Sequence, residues 1–99
     1  MKLEIFSLNG CPYSMKAEKL LHKYNSDIIR VDHNEKSYYN NLNKMSTYPQ
    51  LFLVDDKNNR IQIGGYDDTK ILLTKIFNNN NIKYDKHDSL LLKNFFLNK

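Results

Sequence analysis

One thiol dominates the chemistry this sequence offers. Cys11 is the only cysteine among 99 residues, and it stands in the run Gly10-Cys11-Pro12-Tyr13-Ser14. The apolar run Leu3 to Leu8 before it reads as a strand. After it, Tyr13, Ala17, Leu20, Leu21 and Tyr24 recur on one helical face, with Lys16, Lys19 and Lys23 between them. Cys11 therefore falls where a strand ends and a helix begins. Pro12 takes the first helical position, where a missing N–H costs nothing. The free N–H groups and the positive end of the helix dipole then face the sulfur. That setting lowers a cysteine pKa from about 8.5 toward roughly 3.5–7.5. A thiolate of that kind is both a nucleophile and a good leaving group in disulfide exchange. The competing reading is a small buried apolar cysteine; the position before a proline-started helix favours the reactive one.

The elements that must position this thiol follow in a clear order. A strand over 2–8 and a helix over 12–25 precede a second strand at Ile28 to Asp32, which makes a βαβ unit with parallel strands. A second helix is predicted from Asn34 to Met45, with Tyr38, Tyr39, Leu42 and Met45 on its apolar face, broken by Thr47-Tyr48-Pro49. Gln50 to Val54 and Arg60 to Ile63 form a hairpin around the turn Asp55 to Asn59. Gly64-Gly65 follows, and Asp67 is predicted to cap a helix over Asp68 to Phe77 with Ile71, Leu72, Ile76 and Phe77 inward. After the run Asn78 to Asn81, a last helix is predicted over His87 to Leu97. The fold class is α/β: a four-stranded mixed sheet in the order β-α-β-α-β-β-α, flanked by helices, with a C-terminal helix added. One domain over 1–99 is expected, with its core at about 2–78 and an extension at about 79–99.

Composition narrows the function. Hydrophobic content of 40% suits a folded chain rather than a disordered one. Fifteen basic against eleven acidic residues leave +4, but the lysines are spread along the chain, so a solvated surface is expected and no nucleic-acid partner. No apolar run approaches the roughly 18 residues of a membrane span. One cysteine gives no internal disulfide, and no leader pattern precedes Leu3, so a cytoplasmic setting is expected. His22, His33 and His87 have no metal-ligand spacing with Cys11, so no metal is expected.

Four signals, in order and spacing, resemble the glutaredoxins within the thioredoxin fold, over about residues 3–77. They are the strand before Cys11-Pro12-Tyr13-Ser14, Val31-Asp32 ending the second strand, Thr47-Tyr48-Pro49 before the third, and Gly64-Gly65-Tyr66-Asp67-Asp68 after the fourth. The family's usual active site is C-P-Y-C and its second motif T-V-P. Its cluster-carrying monothiol branch usually reads C-G-F-S, whereas Pro12 stands second here. The resemblance implies catalysis by Cys11 with Pro12, Tyr13 and Ser14 around it. It implies a cis peptide before Pro49, turning the Tyr48 backbone toward the thiol, where it could pair with glutathione like a rung of a sheet. It implies glutathione contacts at Tyr13, Thr47, Tyr48, Pro49, Gly65, Tyr66, Asp67 and Asp68, the last taking the ligand's ammonium group, with the third helix's N-terminus suited to the γ-glutamyl carboxylate.

Two departures stand out. The basic residue usually found three positions before the cysteine is Leu8 here, which leaves Lys36 as the candidate for the glycyl carboxylate. The usual second cysteine is Ser14, which can hydrogen-bond a thiolate but cannot resolve a disulfide. The implied activity is a glutathione-dependent thiol-disulfide oxidoreductase of the monothiol kind. It would be a monomer that uses glutathione as co-substrate and acts on glutathionylated proteins or small mixed disulfides. The alternatives are a glutathione-ligated [2Fe-2S] dimer and a non-catalytic glutathione- or protein-binding module.

Overall fold

The structure is a computed structural model that describes residues 1–98. Its elements are β1 (Lys2–Leu8), α1 (Pro12–Leu21), β2 (Ser26–Val31), a 3-10 turn (His33–Glu35), α2 (Lys36–Asn43), β3 (Gln50–Val54), β4 (Arg60–Gly64), α3 (Tyr66–Phe77) and α4 (Lys86–Leu97). The strands lie in the order β2-β1-β3-β4. β1 runs parallel to β2, with Leu3 opposite Ser26 and Leu8 opposite Val31. β3 is antiparallel to both its neighbours. This is the predicted four-stranded mixed sheet.

Strand alternation divides the core in two. Leu3, Ile5, Leu51 and Leu53 point to one face, where they meet Ala17 and Leu21 of α1, Leu72 and Ile76 of α3, and Leu92 and Phe96 of α4. Phe6, Leu8, Val31 and Phe52 point to the other, against Tyr39 and Met45. The sheet thus carries α1 and α3 on one side and α2 on the other, and the Cys11 end of β1 lies between them.

Several predicted boundaries move, each for a local reason. α1 stops at Leu21 rather than residue 25, because Tyr24 N–H closes a tight turn onto Leu21 C=O at 2.9 Å and Asn25 C=O accepts Leu3 N–H at 2.9 Å. That bond starts the parallel ladder at Ser26, two residues before the predicted strand, and Asp32 falls just outside it. The second helix opens as a 3-10 turn tied by Asp32 N–H to Glu35 Oε1 at 3.0 Å. It ends at Asn43 because Lys44 adopts the left-handed conformation, φ 55°. Its predicted apolar face is only half right: Tyr39 and Met45 pack inward, while Tyr38 and Leu42 are exposed and Asn43 is buried. In α3, Leu72 and Ile76 are buried but Ile71 and Phe77 are not. α4 starts one residue early, at Lys86, because the Asp85 carboxylate accepts Asp88 N–H at 2.7 Å. Among the described residues, no helix is long and apolar enough to cross a membrane.

Candidate active site

The thiol is delivered by a turn at the end of β1. Cys11 N–H donates to Leu8 C=O at 3.1 Å, and Gly10 between them holds φ +78°, a conformation that a side chain would strain. Cys11 is then the N-cap of α1, with extended backbone at φ −87°, ψ 118°, and Pro12 opens the helix. Its sulfur lies before the helix's unpaired N–H groups, partly exposed.

Opposing effects act on that sulfur. Partial burial pushes the Cys11 thiol up. The Ser14 N–H, the Ser14 hydroxyl, the Tyr13 N–H and the charge of Lys36 pull it down, and together they hold it below its ordinary value. Ser14 is fully buried, and its Oγ accepts the Leu8 N–H at 3.1 Å. With that lone pair engaged, the hydroxyl proton is free for the sulfur. Opposite the thiol stands the Tyr48 carbonyl, 3.8 Å from Sγ, and the Tyr48–Pro49 peptide is cis.

The Gly64-Gly65 turn closes a third side. Gly64 holds φ +117°, and a Cβ there would collide with the Asp68 side chain. A Cβ on Gly65 would lie 3.7 Å from Pro49 C=O, so this turn and the Tyr48–Pro49 segment are neighbours. Asp67 was predicted to cap α3. Gly65 is the N-cap instead, and Asp68 reaches back to accept Gly65 N–H at 3.0 Å, while Asp67 sits exposed in the first turn. The helix begins two residues earlier than the pattern indicated, which moves Asp68 into the position of a capping box.

Tyr13 is 53% exposed, so it is a rim residue and does not pack in the core. Its ring lies 6.1 Å from that of Tyr66, and Lys16 Nζ sits 5.3 Å from the Tyr13 ring. Lys36 is the first residue of α2, half-buried, with its charge felt at Cys11. Thr47 is exposed at the turn before Tyr48. Leu8 points into the apolar cluster with Phe6, Val31 and Phe52. The site therefore gathers Cys11, Ser14 and Tyr48 in direct contact, with Pro49, Gly65, Asp68, Tyr13, Tyr66 and Lys36 around them.

A family model for glutaredoxins matches residues 3–57, more than half of the chain. The chain belongs to the glutaredoxin family. Its single cysteine fits a monothiol variant. Glutaredoxin 1 from Francisella tularensis, solved with cacodylate, is similar at 28% identity and a TM-score of 0.55, over 78% of this chain and 96% of that one. Reduced Escherichia coli glutaredoxin shares the fold at 24% identity and a TM-score of 0.57, over 76% and 95%. A buckwheat glutaredoxin solved in complex with glutathione shares the fold at 18% identity and a TM-score of 0.54, over 74% and 68%. No curated protein matches the sequence significantly. The fold is the thioredoxin-like one of these glutaredoxins.

Sequence reasoning passed over Gln50, Asn43 and Arg60, which form a polar group behind Tyr48. The available signal was Gln50 itself, a polar residue opening an otherwise apolar strand.

Proposed function

We propose that this glutaredoxin is a glutathione-dependent oxidoreductase that reduces glutathione mixed disulfides by a monothiol route through Cys11. The observation that carries the reading is a lone thiol, held below its ordinary pKa at a helix start, facing the Tyr48 backbone carbonyl at 3.8 Å. The Cys11 thiolate attacks the glutathione sulfur of a mixed disulfide. That S–S bond breaks, and the partner leaves as a thiolate that takes a proton from water. Cys11 is now disulfide-bonded to glutathione. A second glutathione thiolate attacks the glutathione sulfur, and oxidised glutathione leaves with Cys11 restored as thiolate. A low Cys11 pKa favours both steps, since Cys11 attacks in the first and departs in the second. Ser14 cannot supply a resolving thiol, so the route stays on glutathionylated substrates.

In this reading the cysteinyl backbone of glutathione pairs with Tyr48, its γ-glutamyl end meets the start of α3 and the Asp68 carboxylate, and its glycyl carboxylate faces Lys36. The residues Tyr13, Thr47, Pro49, Gly65, Tyr66 and Asp67 line the remaining contact surface. The test is a coupled assay with the glutathione mixed disulfide of a small thiol, on the protein and on Cys11→Ser. Turnover that disappears in Cys11→Ser supports the reading; no turnover by the unaltered protein refutes it.

A further inference from the structure

The strand β3 begins with an amide where the core would accept a hydrocarbon. Gln50 is 0% exposed, and Leu51, Phe52, Leu53 and Val54 after it are all buried and apolar. Every polar atom of its side chain is nonetheless paired. Asn43 Nδ2 donates to Gln50 Oε1 at 2.8 Å, and Gln50 Nε2 donates to Met45 C=O at 3.3 Å. The orientation is imposed from outside. Arg60 has only donors, and its Nη2 donates to Asn43 Oδ1 at 3.1 Å. That turns the Asn43 nitrogen toward Gln50 Oε1, which in turn aims Gln50 Nε2 at the end of α2. Arg60 is itself fixed, by Glu4 Oε1 at 3.0 Å and by the Phe52 ring 4.0 Å beneath its guanidinium.

The relay ends beside Tyr48. Gln50 Nε2 also donates to Asn40 Oδ1 at 3.2 Å. Tyr48 Oη reaches Lys36 C=O at 3.4 Å. So the side chains of residues 48 and 50 are both held on α2, and the Tyr48 carbonyl faces Cys11 Sγ.

We propose that Gln50 is a positioning residue for the Tyr48–Pro49 rim, oriented by the Arg60–Asn43 relay so that the Tyr48 backbone is held in place for its disulfide ligand. The inference deepens the glutathione reading and rests on it for the identity of that ligand. The position of the Tyr48 backbone itself is testable without any ligand.

Two variants test it: Gln50→Leu, which keeps the volume, and Asn43→Leu, which cuts the relay away from the rim. Each is measured for backbone order by NMR relaxation, for the pH midpoint of Cys11 alkylation, and for steady-state kinetics with a glutathione mixed disulfide. The Thr47 and Tyr48 amide order parameters are expected to fall from about 0.85 to below about 0.6 in both variants. KM should rise by roughly tenfold with kcat within about twofold, the signature of lost binding rather than lost chemistry. The alkylation midpoint should not move, because the Ser14 and Tyr13 groups on α1 act on the sulfur directly. Unchanged order at Tyr48, or reduced thermal stability with unchanged KM, would overturn the proposal. So would failure of both variants to fold, which would make the relay a folding device only. If the unaltered protein turns over no glutathione substrate, the functional reading fails, and the order parameters alone decide the positioning.

Discussion

The buried hydroxyl of Ser14 accepts the backbone N–H of Leu8 across 3.1 Å, tying the end of β1 to the first turn of α1 directly beneath Cys11. The residue that stands in place of a second cysteine is therefore part of the scaffold that holds the first. It also supplies a hydroxyl to the sulfur, one of the influences that lower the thiol.

Ser14→Ala removes both effects. The Leu8 N–H loses its partner in a buried site, which costs about 1–3 kcal/mol. The Cys11 thiol rises. Chemical denaturation and alkylation rate against pH measure the two effects separately, and a variant with an unchanged alkylation midpoint would show that the hydroxyl does not act on the sulfur.

The lowered thiol also makes stability depend on pH. The folded value lies below the unfolded one, so the thiolate stabilises the fold fully above the unfolded value of about 8.5. That contribution is lost as pH falls through the lowered folded value. The stability of the protein relative to Cys11→Ser should therefore increase with pH up to about 8.5 and then level off. Denaturation curves of both proteins across that range check the sign; a difference that shrinks with rising pH contradicts it.

Asp68 has two duties that different substitutions separate. Its carboxylate accepts Gly65 N–H at 3.0 Å, and in the proposed complex it also meets the glutathione ammonium group. Asp68→Asn keeps an acceptor oxygen for Gly65 but removes the charge, so KM for glutathione should rise with little change in stability. Asp68→Ala should raise KM similarly and also lose about 0.5–1.5 kcal/mol with the hydrogen bond. Kinetics over a range of glutathione concentrations, beside melting curves, distinguish the two, and an unaltered KM in both would remove Asp68 from the site.

A basic residue at position 8, where related sequences usually carry one, has no open place here. Leu8 is only 9% exposed and packs with Phe6, Val31 and Phe52. Leu8→Lys is therefore expected to lose about 1.5–3 kcal/mol of apolar burial rather than to improve glutathione use. Urea unfolding decides; equal stability with a lower KM would mean that the lysine reaches the ligand after all.

The sequence by itself determined the sheet and the site of the thiol. Apolar strand runs, a proline after Cys11 and the glycine pair at 64–65 are local signals, and each acts through residues that lie next to one another in the chain. It also carried the family resemblance, because the four motifs keep their spacing. The tertiary structure alone decided which residues serve as caps, which helix faces are covered, and what stands behind the site. Asp68 rather than Asp67 accepts the Gly65 N–H, because α3 starts at the exit of β4. Tyr38 and Leu42 stay exposed, because α2 turns Tyr39 and the buried Asn43 toward the sheet. Gln50 reads as an ordinary polar residue until Arg60, ten positions later, fixes the Asn43 amide from the neighbouring strand. Hydrogen-bond orientation passed between amides depends on contacts between distant segments, and periodicity along one segment carries no record of it.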